Sequence, residues 1–399
     1  MYCRKIKLKN GQVRWECFAD GPPDPVTGKR RLIKRRGKTQ REAKKRVEQA
    51  IRSLEEDNID ESLAKKITFE QAANHWLEVY SMTGVKNSTI RLRKKEIKIL
   101  NRYFAKIPIG SITPIRYQKM INEISNEYVR TTVEGVNTTA GMIFKQAIKD
   151  KIIKDNPKEG VVIPKKQRTV EEIENVPIEE KYLEREELEE FLEAVREHGL
   201  ELDLERFYLL AFSGMRNGEL CALKWNDVDF EHNEIRITKT IYNEKNNMRE
   251  YEITPPKTMG SVRTIKMEPE IMNMLKEHRK RQMKLKMKYR HQLEEYHDGN
   301  FVFARPNGYP YVQKNIRDRM KRLLKKTNIK KKATPHILRH THISMLTEAG
   351  VDLPTIMQRV GHEDVDTTMK IYTHVTNKMK KDATEKVSQL FSETLSKIK

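Results

Sequence analysis

A run of polar and charged residues over 166–181 divides the chain and limits how it can fold. The run shows no apolar periodicity, whereas amphipathic patterns lie on both sides of it. A chain interrupted in this way is expected to form separate cores joined by a linker. The length of 399 residues allows two or three domains. We therefore predict a linker at 166–181 and a last domain over 182–399.

The first 66 residues predict a small basic domain. They contain 19 Lys/Arg and 10 Asp/Glu. Residues 13–19 alternate like a strand, 30–37 form a second and strongly basic strand, and a capping box at 39–42 begins a helix. A β-ribbon of this size fits the major groove of DNA, although a solvated cationic module has the same composition. Four residues of the basic strand and its end are the predicted DNA contacts: Lys34, Arg35, Arg36 and Lys38.

Residues 67–165 predict a helical domain. A capping box at 68–71 begins one helix, and Thr113 followed by Pro114 begins another. A long apolar helix pattern from about Arg130 to Ile153 ends before Asn156-Pro157. The aromatic and methionine positions of these patterns indicate a core rather than a ligand site.

Composition narrows the class of protein. The chain has 79 Lys/Arg and 57 Asp/Glu, a net charge of +22, and 37% hydrophobic residues. Such a basic chain binds nucleic acid or a membrane surface, or is merely cationic. It contains no stretch of 18 apolar residues and no apolar segment typical of a signal peptide. The scattered Cys3, Cys17 and Cys221 argue against disulfides and cysteine zinc sites, and favour the reducing cytoplasm.

The last segment, 182–399, has a mixed pattern. Helical patterns surround two short strands, at about 234–238 and 263–267. Three stretches are unlike ordinary packing sequences: 213–219 (SGMRNGE), 334–342 (TPHILRHTH) and 361–374 (GHEDVDTTMKIYTH).

These three stretches together fit phosphodiester chemistry. Two arginines can hold the non-bridging oxygens of a phosphate, histidines can transfer protons near neutral pH, and a tyrosine can be the nucleophile. Cationic side chains would then take the place of a metal ion. The alternative is a zinc site on His336, His340 and His342, but Ile337 stands where the metalloprotease pattern needs glutamate.

The combination resembles the tyrosine recombinase, or phage integrase, family. The motifs stand in the family's order and spacing over about 180–380, and residues 1–66 more loosely resemble the arm-binding domain of lambda-like and conjugative-transposon integrases. The resemblance implies a mainly α fold with small β-sheets. It also implies an N-terminal β-ribbon-plus-helix arm-binding domain (1–66), a helical SAM-like core-binding domain (67–165) and a mixed α/β catalytic domain (182–399).

The resemblance also implies roles for six residues. Arg216 and Arg339 are expected to hold the scissile phosphate, with His362 as a further hydrogen-bond donor. Lys257 is expected to protonate the leaving 5′-hydroxyl, although Lys239 and Lys266 are rivals nearby. Two further roles complete the set: His336 as general acid/base and Tyr372 as the nucleophile of a 3′-phosphotyrosine intermediate.

The resemblance implies a mobile-element integrase that acts on double-stranded DNA at core and arm sites, without metal or ATP. A homotetramer on DNA is expected, with accessory DNA-bending or excision factors and no membrane. The apolar face of the last helix, at 383–395, packs on its own domain or, as the family suggests, on a neighbouring protomer. Three other readings are a DNA-binding regulator without chemistry, a zinc hydrolase and a type IB topoisomerase. The basic segment 276–290 is either solvated or lies along a DNA backbone.

Overall fold

The computed structural model describes residues 1–8, 12–23, 30–56, 61–165, 181–256, 259–290, 292–293, 295–361 and 365–398. The chain divides into two compact units, 1–167 and 168–399. The predicted linker lies outside the described residues except for Lys181. In the described part of the chain, no helix is long and apolar enough to cross a bilayer.

The first unit begins with an antiparallel sheet in the order β1-β2-β3. Its strands are β1 (Tyr2–Lys7), β2 (Val13–Pro23) and β3 (Arg30–Gly37), and α1 (Gln40–Glu56) packs on it. Cys17, Ile33, Ala43, Val47 and Ala50 form the core between sheet and helix. The two predicted strands and the helix are confirmed, whereas β1 is an additional strand that the sequence pattern did not predict.

The expectation that the cysteines form no disulfide is wrong for one pair. Cys3 and Cys17 are direct partners in the register of β1 and β2, and a disulfide joins them. Their separation of 14 residues gave no indication of pairing, because the register of two strands places residues opposite each other regardless of spacing. Cys221 is buried and free.

The rest of the first unit is helical and has its own core. Its helices are α2 (Glu61–Lys66), α3 (Phe69–Ser81), α4 (Asn87–Phe104), α5 (Pro114–Glu127) and α6 (Arg130–Lys149). Thr68 forms the predicted capping box with Gln71, and Thr113 caps α5 ahead of Pro114. Fully buried aromatic rings, among them Phe69, Phe104 and Tyr117, form the centre of this core.

The second unit is mixed, as predicted. Its helices are α7 (Arg185–His198), α8 (Asp203–Ser213), α9 (Asn217–Ala222), α10 (Pro269–Arg290), α11 (Gln313–Leu324), α12 (Pro335–Glu348), α13 (Leu353–Val360) and α14 (Val365–Ile398). Its strands are β4 (Val228–Asp229), β5 (Glu234–Ile237), β6 (Thr240–Tyr242), β7 (Glu252–Thr254) and β8 (Arg263–Lys266). They form an antiparallel sheet β4-β5-β8 and a separate hairpin β6-β7.

Helix packing in this unit brings distant segments together. Helix α12 packs against both α8 and α14, and α13 packs against β8. A small apolar cluster that includes Ile343, Val360 and Ile371 joins α12, α13 and α14. The three stretches singled out in the sequence are therefore parts of neighbouring elements.

Candidate active site

A tight turn between α8 and α9 positions the first arginine. Helix α8 ends at Gly214, whose φ of +63° lies in the left-handed region. A Cβ on Gly214 would lie 2.7 Å from Cδ2 of His342, so only glycine fits here without rearrangement. Arg216 follows as the N-cap residue of α9. The turn thus places the start of the Arg216 side chain beside α12.

Arg216 is held by a carboxylate and a carbonyl. Its Nη1 donates to Glu219 Oε1 at 2.8 Å, and its Nη2 donates to the carbonyl of Gly361 at 2.9 Å. The backbone nitrogen of Arg216 donates to the other carboxylate oxygen of Glu219 at 2.9 Å. About one third of the side chain remains exposed. The guanidinium is therefore oriented by the protein and still accessible.

Arg339 reaches the same turn from α12. Its side chain is fully buried, and its Nη1 donates to the carbonyl of Gly214 at 2.7 Å. Burial lowers the pKa of Arg339 below its ordinary value, and the positive charges of Arg216 and Arg263 lower it further. A cation so placed is stabilised by an anion at the site.

Glu219 is the carboxylate between the cations of this cluster. It is 4% exposed and accepts from both Arg216 and Arg263. Burial by itself raises the pKa of Glu219, but the hydrogen bonds and charge of Arg263 and the contacts with Arg216 outweigh it, and the pKa lies below its ordinary value. Glu219 is therefore ionised at neutral pH.

His336 and His340 lie one turn apart on α12 with their rings edge to face, 4.6 Å between centroids. Surrounding protein atoms remove water from His336 and lower its pKa to about 4, and the charges of His340, Arg339 and Arg216 contribute. The residue nevertheless keeps an exposed face. His336 is therefore a neutral imidazole at pH 7, and it can accept a proton from a group that approaches from solvent.

His342 is a buried structural residue. Its Nδ1 lies 3.0 Å from the carbonyl of Ala211, and Arg359 Nε donates to its Nε2 at 3.0 Å. Both ring nitrogens are thus engaged, which leaves neither for a zinc ion shared with His336 and His340. In the described ranges, no group of three His, Cys, Asp or Glu residues is arranged to hold a metal ion.

Tyr372 lies in the first turns of α14. It is partly buried and packs on the apolar cluster of Ile343, Val360 and Ile371, next to the helix that carries His336 and Arg339. Its backbone carbonyl accepts from Thr376 at 2.9 Å, within the helix.

Lys257 and His362 lie outside the described residues. Residues near each of them in the chain do meet: Ser261 Oγ donates to the carbonyl of Gly361 at 3.4 Å. The rival Lys239 forms an ion pair with Asp227 at 2.5 Å, and only 23% of its side chain is exposed. The rival Lys266 is an exposed residue of β8.

Two of the predicted DNA contacts in the N-terminal sheet, Lys34 and Arg36, lie beside a buried carboxylate. Glu16, 1% exposed, accepts from Arg36 at 2.9 Å and from Arg4 at 3.0 Å, and Lys34 lies 3.3 Å away. Burial raises the pKa of Glu16, but these three cations outweigh it and lower the pKa below its ordinary value. Three cations around one carboxylate leave a positive surface. Lys38 is exposed, and Arg35, beside Lys34 in the strand, is partly buried.

Sequence reasoning missed the buried residues Glu219 and Arg263 and the half-buried Arg359. Two signals were available. Glu219 stands three residues after Arg216, at the position that completes a capping box. Arg263 and Ile265 both lie on the buried face of β8. A buried arginine requires an anionic or carbonyl partner.

The chain is similar to known proteins over most of its length. Residues 181–379 match the model of the phage integrase family, and 68–125 match a phage integrase N-terminal SAM-like domain. The integrase of Staphylococcus phage L54a is 34% identical over 348 residues, covering 84% of this chain and 96% of that protein. The ICEBs1 integrase of Bacillus subtilis (strain 168) is 26% identical, covering 96% of this chain and 99% of that protein.

Solved structures show the same fold. An integrase of the Tn1549 transposon, in complex with transposon right end DNA, matches with a TM-score of 0.62 at 22% identity, covering 81% of this chain and all of that one. A lambda integrase tetramer bound to a Holliday junction matches with a TM-score of 0.55 at 17% identity, covering 92% and 94%.

The chain belongs to the phage integrase family. It is a site-specific tyrosine recombinase, an enzyme that binds DNA and recombines it. The predicted mainly α fold with small sheets is confirmed.

Proposed function

We propose that Arg216, Lys257, His336, Arg339, His362 and Tyr372 form one active site that cuts and rejoins DNA. One observation carries the proposal. Arg216 and Arg339, which lie far apart in sequence, meet at the Gly214 turn, and Tyr372 lies on the helix next to that of Arg339. The site therefore offers clustered positive charge beside a tyrosine, which suits a phosphodiester.

The proposed reaction exchanges one phosphodiester for another. The Tyr372 oxygen attacks phosphorus and forms the 3′-phosphotyrosine bond, while the bond from phosphorus to the 5′-oxygen breaks. Neutral His336 takes the phenolic proton, and Lys257 gives a proton to the departing 5′-oxygen. Arg216, Arg339 and His362 stabilise the negative charge on the non-bridging oxygens. Attack by a 5′-hydroxyl reverses the steps. No ATP is required because the phosphodiester bond is conserved, and the cationic side chains take the place of a metal ion.

The domains are proposed to divide the work on DNA. Residues 1–66 bind arm sites through Lys34, Arg35, Arg36 and Lys38. Residues 67–165 and the catalytic domain, 182–399, both bind core sites. The positive surface around Glu16 supports the first assignment. The relatives named as integrases of a phage and of ICEBs1 support a mobile element as the source of the DNA. Such a substrate places the protein in the bacterial cytoplasm, with accessory DNA-bending or excision factors.

The proposed assembly is a homotetramer on DNA whose C-terminal helices are exchanged between protomers. In α14, Ala383 is exposed, and Val387 and Phe391 have 47% and 61% of their surface exposed. An apolar helix face left open in a single chain is expected to be buried elsewhere, and we assign it to a second copy of the chain. The lambda integrase structure, a tetramer on a Holliday junction, supports the proposed tetramer.

A covalent trapping assay tests the proposed function. The protein is incubated in EDTA with a nicked suicide duplex made from the ends of its own element and analysed on a denaturing gel. We expect a protease-sensitive DNA adduct with the native protein and none with Tyr372→Phe. Tyr289→Phe, which removes a hydroxyl from α10, is the matched control and should form the adduct.

Each result of the assay has one meaning. An adduct with Tyr372→Phe would show that another residue is the nucleophile. The alternative result is that the native protein binds the DNA sequence-specifically and forms no adduct, with both ends of the element and all accessory factors present. That result would favour a DNA-binding regulator without chemistry.

A further inference from the structure

Arg263 is a buried arginine with a full set of partners. It lies on the inner face of β8 with 7% of its surface exposed. Its Nη2 donates to Glu219 Oε2 at 2.9 Å, and its Nη1 lies 3.3 Å from Oε1, a two-pronged contact that lysine cannot reproduce. Its Nε donates to the carbonyl of Arg359 at 2.9 Å, and Nη1 also donates to that of Ser261 at 3.0 Å.

Glu219 is shared between this arginine and Arg216. Oε1 receives Nη1 of Arg216 at 2.8 Å, and Oε2 receives its backbone nitrogen at 2.9 Å. If Arg263 were lost, the buried carboxylate would face Arg216 alone, and in a site of low dielectric it would hold that guanidinium more strongly. Arg263 therefore offsets the charge of Glu219 and lets the carboxylate orient Arg216 without neutralising it.

The same guanidinium joins the segments that lead to two other proposed active-site residues. Arg359 and Gly361 precede His362, and Ser261 follows Lys257 by four positions. A Cβ on Gly361 would lie 3.1 Å from Cδ and Nη1 of Arg263, so the contact is close. The carbonyl of Gly361 also accepts a hydrogen bond from Arg216, so Gly361 contacts both arginines.

We propose that Arg263 is a positioning residue for catalysis: through Glu219 it keeps Arg216 oriented and free to bind the scissile phosphate. The proposal rests on the role assigned to Arg216 above. It predicts an effect that depends on the negative charge of the phosphate, which a purely structural role would not produce.

The test measures the rate of adduct formation at saturating suicide substrate, with either a normal scissile phosphate or a neutral methylphosphonate in both stereoisomers. On the phosphate, Arg263→Lys should slow the reaction by about 10- to 100-fold, the range expected when a catalytic group is misplaced. On the methylphosphonate, the deficit relative to the native protein should shrink several-fold, because less charge remains for Arg216 to stabilise. Arg236→Lys, an exposed arginine on the neighbouring strand, is the matched control and should react at the native rate.

A second variant tests the same inference in case Arg263→Lys does not fold. Glu219→Gln combined with Arg263→Gln replaces the buried ion pair by two amides, so neither position keeps an unpaired buried charge. Arg216 loses its carboxylate partner in this variant, which should therefore show the same dependence on substrate charge. Circular dichroism at the assay temperature verifies the fold of each variant.

The outcomes separate this inference from the proposed function. An equal deficit on both substrates, or no deficit with Arg263→Lys, overturns the positioning role. Arg216→Lys measured in parallel serves as the reference. If that variant reacts at the native rate on the phosphate, the role of Arg216 itself fails. If it is impaired while Arg263→Lys is not, only the inference about Arg263 fails.

Discussion

His342 shows how a single buried side chain ties the stability of the second unit to pH. It is 4% exposed, and burial, with the charge of Arg359 next, lowers its pKa to about 3. The unfolded chain has the ordinary value of about 6.5. Between about pH 3 and about pH 6.5, His342 is therefore protonated in the unfolded state and neutral in the folded state. The stability that depends on neutral His342 is fully present above about pH 6.5 and is lost progressively as the pH falls below that value.

The first prediction concerns this residue. His342 should cost the folded protein about 1.4 kcal/mol for each pH unit below about 6.5. His342→Asn should be less stable at pH 7, because it loses buried contacts, but its free energy of unfolding should depend less on pH. Denaturant unfolding at pH 7.5, 6 and 5 measures both slopes. The values at pH 7.5 serve as the reference, and equal slopes for the two proteins would contradict the assignment.

At the scale of the residue, the sequence singled out candidate active-site residues but not their surroundings. Arg216, Arg339 and His336 stand in short motifs, so local spacing was sufficient to select them as candidates. Glu219, which contacts Arg216, and its partner Arg263 lie 44 residues apart and meet only in the folded chain. The partners of a buried charge depend on tertiary packing, which a short motif does not contain.

Helix α14 combines two proposed functions, since Tyr372 lies near its start and the exposed apolar face lies further along. Between Tyr372 and Phe391 the helix rises by about 28 Å at about 1.5 Å per residue. The proposed nucleophile and the proposed contact with a second copy are thus parts of one continuous helix.

The second prediction concerns that contact. Phe391→Asp should abolish complexes that contain several protomers on DNA and should block strand exchange, because burial of a phenyl ring contributes about 2 kcal/mol and the carboxylate opposes it. Binding of one protomer to one site should persist. Ser392→Asp, an exposed neighbour outside the apolar face, is the control. Native gels and strand-exchange assays provide the measurement, and normal exchange by Phe391→Asp would overturn the proposed docking.

At the scale of elements, the helices followed their caps and periodicity, as the capping box at Thr68 and the N-cap at Thr113 show. Strand β1 and the Cys3–Cys17 disulfide were missed for one reason. Both arise from pairing with β2, and register is a property of two strands rather than of either sequence alone.

The charge of the whole molecule determines how it should respond to salt. With a net charge of +22 and DNA as its substrate, the chain is expected to displace many condensed counterions when it binds.

The third prediction follows from this charge. Between 50 and 200 mM salt the affinity for a site should fall by roughly a thousandfold or more, as for six or more phosphate contacts. Lys34→Ala should reduce the slope of log affinity against log salt by about 1 on arm-site DNA and leave it unchanged on core-site DNA. Equilibrium binding over a salt series measures both slopes. A native slope close to zero would contradict the predicted phosphate contacts. An equal change on both DNAs would contradict the division of sites.

Two glycines are further positions at which a mutation is expected to inactivate this enzyme, in addition to the proposed active-site residues. Gly214 and Gly361 both have positive φ, and protein atoms crowd the place where a Cβ would stand. Almost any missense change in either codon would displace an arginine or the turn before His362. A decayed copy of the gene can therefore keep all six proposed active-site residues and still encode an inert protein, and a count of intact motifs overestimates how many copies remain able to move.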